Sequence, residues 1–536
     1  MRLTTGRATV KCVTKPRVHR EIERKLEVPP GFRLPSLERA GAGIGATSRA
    51  PTCRLVAVYF DTADLRLARH RITLRRRTGG PDAGWHLKLP HADADAGAAA
   101  VGDDTTRDEV QLPLSAGDSP PARLTSLVLG VTRGAPMAPV VTLRTERRRV
   151  LVADTSGQPL AEVTDDRVAV VAGRRTAGRF RELEVEAAPG RTATDLDSIV
   201  AALVAAGAAE SDFASKALRA LGPSAAAPPD IPSPPPVGPG DRAGDAVQAF
   251  LAVHVTAFLR EDLRVRRGLP DGVHRQRVAA RRLRSGLRAF SPLLEGSWAR
   301  QLSAELKWIG QELAASREIE VLEDRMLAGL AGLAGTDIAG AAHTVRSTLT
   351  SDDRAALRRV KAAMESRRYL HLLDALVDAA RSPQLTDAAE APAGTALPPL
   401  MRATWKRLAA AVRPLTLDGP DTAWHKARIR AKHARYAADA LVPVFGKPAL
   451  RLAAGLNEVT ELLGRHQDAS VAAETARSLA ERDGVDGRAG YALGLLHEAQ
   501  RAEILDIRRT FSTVWPAVAA KKRRRWLRTS TTGARR

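Results

Sequence analysis

Eight prolines fall within the twenty residues Gly222–Asp241, GPSAAAPPDIPSPPPVGPGD. Proline lacks the backbone N–H and fixes φ, so neither a helix interior nor a central strand can run through this stretch. A chain of 536 residues carrying such a spacer must build its cores on either side of it. The stretch itself reads as a semi-rigid, extended linker. It divides the chain into an N-terminal domain over residues 18–221, the linker over 222–241, a second domain over 242–516 and a basic tail over 517–536. The tail, KKRRRWLRTSTTGARR at its end, reads as disordered, and roughly the first fifteen residues read as loose.

The two halves differ in period. Before the linker come short alternating segments separated by Gly, Pro and Asp, among them RLVAVYFDT, RITLRRRTGG, GWHLKLP, RDEVQLPL and FRELEVEA. That spacing predicts an antiparallel sheet or barrel, and TDLDSIVAALVAAG predicts a helix with an apolar stripe. After the linker, Ala, Leu, Arg and Glu recur at helical periods, which predicts an all-α bundle. The fold class expected is therefore α+β in two domains.

A net charge of +23 favours polyanionic partners: nucleic acid, an anionic membrane or a phosphate polymer. Two cysteines, Cys12 and Cys53, allow no disulfide framework. No window approaches 18 uninterrupted apolar residues, and the N-terminus lacks the apolar run of a signal peptide. A cytoplasmic protein without a membrane span is expected.

The strand HREIERKLEV places Glu21, Glu23 and Lys25 on one face, because side chains alternate across a strand. Other strands repeat the arrangement: Glu182, Glu184 and Glu186 in RELEVEA, Arg75 and Arg77 in TLRRR, His86 and Lys88 in WHLKL, Arg107 and Glu109 in TRDEV. A solvated sheet face would explain any one of these strands. Several strands with both signs of charge point instead to a barrel with a charged lumen. Carboxylates there suit a hard metal ion, and Arg and Lys suit phosphate oxygens.

The EIERK segment fits the E-x-E-x-K signature of the CYTH, or triphosphate tunnel metalloenzyme, family. YFDT, LRRR, WHLKL, RDEV, TERRRVLV, AEVTDDRV, ELEVE and SKAL follow in that family's order, so residues 19–221 resemble it. The resemblance implies an eight-stranded antiparallel tunnel that hydrolyses a triphosphate with Mg²⁺ or Mn²⁺. It implies Glu21, Glu23 and Lys25 as catalytic. Lys25, Arg75, Arg77, Lys88, Arg147 and Lys216 would contact phosphate, although RTERRR also offers Arg144, Arg148 and Arg149. Glu21, Glu23, Glu182, Glu184 and either Asp165 or Asp166 would hold metal, with Asp165 taken first. Arg107 and Glu109 would complete the lumen. No Ser–His–Asp constellation is visible, and His86 reads as a phosphate contact or structural residue rather than a base.

In the second half, His274, Arg277, Arg281, Arg284 and Arg288 fall within about 80° of one helix face. His425, Arg428, Lys432 and Arg435 follow the same offsets, and Arg317, Glu320, Arg465, His466 and Asp468 extend the correspondence. This predicts a twofold internal repeat. Solvated faces mix charge signs to form i,i+4 pairs; these rows are almost wholly cationic. The H-x-x-R-(x)₃-R/K-(x)₂-R rows resemble the CHAD family, the conserved histidine α-helical domain. The first copy departs from it, with R-E-I-E where R-D-x-D is usual. That resemblance implies inorganic polyphosphate bound along both rows, and association with polyphosphate granules. Aromatic residues are only 4%, which disfavours nucleic acid. A granule-binding protein without turnover, or a tunnel of the adenylate cyclase or thiamine triphosphatase type, are the alternative readings.

Overall fold

The structure, a computed structural model, describes residues 17–41, 43–91, 106–114, 117–333 and 338–528. The chain forms two compact units, Met1–Asp230 and Ile231–Arg536.

In the first unit eight strands follow in order: β1 Arg17–Glu27, β2 Ile44–Asp61, β3 Thr73–Thr78, β4 Gly84–Pro90, β5 Thr106–Leu112, β6 Ala138–Asp154, β7 Pro159–Ala172 and β8 Arg175–Ala187. The sheet order is β5-β4-β3-β2-β6-β7-β8-β1, and β1 also pairs with β5, which closes the ring. Residues 17–22 of β1 face β5 and residues 23–27 face β8, so one strand serves as the seam. The expected eight-stranded antiparallel tunnel is present, with a two-residue strand, Ala209–Glu210, added against β1.

Alternation along the strands separates the two faces of the wall. Leu26, Val163, Leu183 and Val185 face outward and are buried with Ile199 and Leu203 of the helix Asp197–Ala205. The residues between them face inward. Towards one end the inner face turns apolar. Ala57, Tyr59, Leu143 and Val168 cluster there with Ala217 of the helix Lys216–Leu221. The Ser215 side chain caps that helix by accepting from the Leu218 N–H, and Gly222 ends it at φ 72°, a left-handed backbone that glycine adopts without a Cβ penalty.

The second unit is helical, from Ala243–Arg266 to Gly487–Val518. Two of its helices carry the cationic rows, Gly272–Ala289 and Asp421–Phe445. Their opposite faces bury Ala279, Ala280, Leu283 and Leu287, and Ala427, Ala431, Ala434 and Ala438. Rotation of the first is fixed by a buried polar chain. The Gln276 amide donates to the Tyr369 hydroxyl at 2.7 Å, and that hydroxyl donates to Asp262 at 2.7 Å. Breaking these buried hydrogen bonds is costly, so they hold the helix in one orientation. Gly286 lets the same helix approach Phe250, where a Cβ would stand 2.1 Å from the ring. Phe250 is itself held edge-on by Phe290. Gly286→Ala is expected to destabilise the helical unit by about 1–3 kcal/mol through overpacking. An unchanged urea midpoint, followed by helical circular dichroism, would contradict this packing.

The proline stretch is less free than its composition suggests. Ala225 packs with Ala68 and Leu218 in the first unit, while Ile231 and Val237 join the core of the second. The tail differs too. Lys521–Arg528 forms a 3-10 helix with Leu527 buried, because Trp526 and Leu527 interrupt the basic run and find apolar partners. Residues 1–16 and 529–536 lie outside the described residues.

Candidate functional site

Register brings the inward charges of the tunnel together. Across the β1–β8 ladder Glu23 faces Glu186, Lys25 faces Glu184 and Glu27 faces Glu182. Across β6–β7–β8 Arg147 faces Asp166, which faces Glu182. Lys216 enters from its helix, with Nζ 2.7 Å from Glu182, 2.6 Å from Glu184 and 3.1 Å from Asp166. Arg147 donates to both oxygens of Asp166, at 2.8 and 2.6 Å, and to Glu184 at 2.9 Å. Of the arginines in RTERRR, Arg147 is thus the inward one at this level; Arg149 is paired with Glu162, and Arg148 with Glu146.

Asp165 is not part of this group. Its carboxylate accepts two bonds from Arg181, at 2.8 and 2.9 Å, and Arg181 also donates to the Pro30 and Phe32 carbonyls. Asp165 stands opposite Leu183 on the outer face. The aspartate that faces the lumen is Asp166, with no exposed side-chain surface.

The other side of the lumen holds Lys25, Lys88, Arg75 and Arg77. Lys25 lies 2.6 Å from Glu23, and Lys88 lies 2.5 Å from Glu21 and 3.8 Å from Glu23. Burial opposes the charge of Glu23, yet Lys25 and Lys88 hold its carboxyl down to about 2. Burial also acts on Arg77 and, with Arg75 and Arg147 beside it, holds that guanidinium down to about 9, even though Arg77 pairs with Asp82. The lumen is therefore short of anions around Arg77.

It is short of cations elsewhere. Glu186 makes no ion pair or hydrogen bond among the described residues. Burial first, then Glu21 and Glu23, push its carboxyl up to about 7 against the pull of Lys88. Glu182 and Glu184, by contrast, are taken up by Lys216 and Arg147. Oxygen donors of Glu21, Glu23 and Glu186, with surplus negative charge, fit a hard divalent ion.

Two residues gain roles that sequence reasoning underweighted. Glu109 is a buried hub: His86 lies 3.0 Å from it, His19 3.2 Å and Arg75 3.8 Å. His19, Glu21 and Glu109 offer ligand atoms within 4.8 Å of one another, an acidic group able to hold a metal. Hydrogen bonding to Glu109 and Glu21 raises the His19 imidazole to about 10, so a metal held there would have to displace the ring proton. The signal for His19 was present, since it lies two residues before Glu21 and so on the same face. His86 is structural. Its Nδ1 meets Glu109 and its Nε2 meets the Asp82 carbonyl at 2.9 Å, and burial lowers it to about 4. Arg107 is buried in the wall, with Nη1 3.3 Å from the Arg71 carbonyl.

In the helical unit the two cationic rows line one cavity of about 820 Å³. His274, Arg277, Arg281, Arg284 and Arg288 enter from one helix; His425, Arg428 and Lys432 enter from the other. Arg435 does not. It lies 3.3 Å from the Thr460 hydroxyl and 3.7 Å from Asp439, one turn along its helix, and is drawn to the edge of the row. His433 lines the cavity instead, 2.8 Å from Arg288. Among the described residues Asp468 is the sole carboxylate of the lining. Burial, then Arg428, Arg281 and Arg277, hold the Lys432 ammonium down to about 7. His466 is stacked on Trp424 at 5.2 Å and accepts from Arg508 at 3.1 Å, away from the cavity. The side chains of Arg317 and Glu320 lie outside the described residues.

A closed eight-stranded ring with a lumen of paired acids and bases defines a triphosphate-tunnel domain, here followed by a helical domain with a cationic cavity. The CYTH domain family matches residues 19–216 and the CHAD domain family residues 249–477. The uncharacterized protein Rv2226 of Mycobacterium tuberculosis is 34% identical over 523 residues, spanning 92% of this chain and 94% of that one. The chain belongs to the family of proteins that join a CYTH domain to a CHAD domain. Among solved structures, PptA from Streptomyces chartreusis is similar with a TM-score of 0.45 at 29% identity, covering 51% of this chain and 99% of PptA. The CHAD domain from the plant Ricinus communis gives a TM-score of 0.42 at 23% identity, covering 52% of this chain and 94% of that domain. CYTH tunnel enzymes act in general on phosphoanhydrides and depend on a metal, and the two families in general bind triphosphates and polyphosphates. No helix among the described residues is long and apolar enough to cross a membrane.

Proposed function

We propose that the tunnel hydrolyses inorganic triphosphate or a short polyphosphate with Mg²⁺ or Mn²⁺, and that the helical cavity binds polyphosphate. The observation that carries the first part is the split of the lumen. Glu186 has no cation of its own beside Glu21 and Glu23, which share Lys25 and Lys88, while Arg77 has too much of its own sign beside it. A metal–triphosphate complex would neutralise both at once. Bound at the three glutamates, the ion would neutralise phosphate charge and lower the pKa of water at the site.

The chain's own residues do the rest. Lys25, Lys88, Arg75 and Arg77 would grip the equatorial oxygens, with Arg147 and Lys216 released from Asp166, Glu182 and Glu184 to meet the chain. Donors held in place by the strands stabilise developing charge at little reorganisation cost, whereas Arg147 and Lys216 would first exchange their carboxylate partners for phosphate. His86 has its two ring nitrogens turned to Glu109 and to the Asp82 carbonyl, so neither is directed at the attacking water.

The test is a substrate panel on the full chain: tripolyphosphate, long-chain polyphosphate, ATP and thiamine triphosphate, each with Mg²⁺ and with Mn²⁺. Phosphate release from tripolyphosphate at a kcat/KM above the other substrates is expected. Turnover of ATP or thiamine triphosphate with none of tripolyphosphate would overturn the substrate. Binding of polyphosphate with no turnover of any substrate would overturn the activity.

A further inference from the structure

We propose that the helical unit carries a second anion site, separate from the cavity between the cationic rows and built for a condensed phosphate chain. After Asp506 the sequence contains no further carboxylate residue. Lys521, Lys522, Arg524, Arg525 and Arg528 of the terminal 3-10 helix line a cavity of about 490 Å³ together with Arg402 from the helix Ala393–Val412. None of these six cations makes an ion pair among the described residues.

The concavity is held by backbone rather than by counter-charge. The Arg402 guanidinium donates to the Leu527 carbonyl, and Arg524 donates to the Ala519 carbonyl at 2.8 Å. Leu527 is buried, and Trp526 packs on Phe445 with ring centroids 5.0 Å apart. The Arg524 guanidinium lies over Trp405, 4.1 Å from the ring centroid. That contact holds the cation in the cavity lining without neutralising its charge. A carbonyl neutralises no charge, so the six cations remain a net field of one sign. They are held in a pocket instead of spread on a flat face.

The same features choose the ligand. Trp405 is buried, stacked on Trp515 at 5.6 Å and covered by Arg524. Trp526 is turned into the core. The pocket therefore offers charge without a free aromatic face, whereas binding of single-stranded nucleic acid depends on stacking bases on such faces. A flat membrane surface does not need a pocket of this depth. A chain with one charge per phosphate and no bases fits both observations. With a site here as well as in the main cavity, one long polyphosphate would gain affinity by engaging both, and a short one would not.

The test uses the full chain with Lys521, Lys522, Arg525 and Arg528 replaced by Gln, leaving Arg524, Trp526 and Leu527 to hold the fold. Binding of long-chain polyphosphate should weaken at least about tenfold. The slope of log K against log salt should fall by about three, as four phosphate contacts are lost. Tripolyphosphate hydrolysis should be unchanged. Binding of long polyphosphate with wild-type affinity and slope overturns the proposal. So does a loss seen only for single-stranded RNA, or only for phosphatidylglycerol vesicles. A parallel variant of the main cavity, Arg277→Ala with Arg428→Ala, keeps the two readings apart. If it binds polyphosphate like the wild type while the tail variant does not, the main cavity reading fails and this one stands.

Discussion

Glu21→Gln combined with Glu23→Gln should lower kcat for tripolyphosphate about a thousandfold, with Mg²⁺ or Mn²⁺ alike. Removing charge stabilisation worth about 4 kcal/mol in the transition state corresponds to that factor. Gln keeps the shape and one oxygen acceptor, but it cannot hold a divalent ion against water. The double variant also strips Lys25 and Lys88 of their partners, at 2.6 and 2.5 Å. Leaving a buried ammonium unpaired is destabilising, so a loss of activity alone would be ambiguous.

Glu186→Gln resolves the ambiguity. Glu186 has no partner to strand, and burial beside Glu21 and Glu23 already pushes its carboxyl up to about 7. The sign of its linkage follows. A carboxyl raised from 4.5 to about 7 in the folded state binds more protons there than in the unfolded chain over that interval. Its contribution to stability is full below pH 4.5 and is lost as pH rises through about 7. Without metal, Glu186→Gln should therefore melt higher than the wild type at pH 8, and no higher at pH 4. It should also bind Mn²⁺ more weakly by calorimetry and turn over more slowly. Wild-type Mn²⁺ affinity in both variants would show that the metal is not held at these glutamates.

Most of this site could be read from the alternation of side chains along strands. Period two alone put Glu21, Glu23 and Lys25 on one face, and likewise Arg75 with Arg77 and Glu182 with Glu184 and Glu186. It could not say which carboxylates would be left without partners. That outcome depends on the ladder between β1 and β8, and on Lys216, which arrives from a helix some thirty residues past Glu186 and occupies Glu182 and Glu184. Two adjacent aspartates posed a similar problem. One of them must face outward, and Arg181 on the next strand takes Asp165. In the helical half, helical offsets placed His274 through Arg288 correctly on one lining. The same rule failed at Arg435, because an aspartate one turn along competes for it. His466 extended the correspondence between the two rows by spacing, and Trp424 and Arg508 hold it inside the bundle. Short-range pattern identifies a face; the partners that reach it from distant segments decide what remains available.

The main cavity makes the second large prediction. Arg277→Ala, Arg281→Ala and Arg428→Ala together should weaken polyphosphate binding about a hundredfold at moderate salt, each charge-assisted contact being worth about 1 kcal/mol or more. The log–log salt slope should fall by about two, in proportion to the phosphate contacts removed. A solvated cationic face with no ligand would show neither change. Proton linkage gives an independent reading of the same cavity. Lys432 is held down to about 7 by burial and by Arg428, Arg281 and Arg277, with Asp468 pulling the other way. In the free protein its protonation is thus suppressed, while a bound polyanion favours the charged form. Affinity should rise as pH falls from about 9 through 7 and level off below that, and binding near pH 7.5 should take up protons. The linkage to folding runs in parallel: a depressed ammonium contributes stability that is present above 10.5 and is lost as pH falls through about 7. Lys432→Gln should flatten the pH dependence of binding while leaving the salt slope close to that of the wild type. A pH profile unchanged by that substitution would mean that Lys432 does not meet the phosphate chain, and that the arginines of the two rows bind it without the lysine between them.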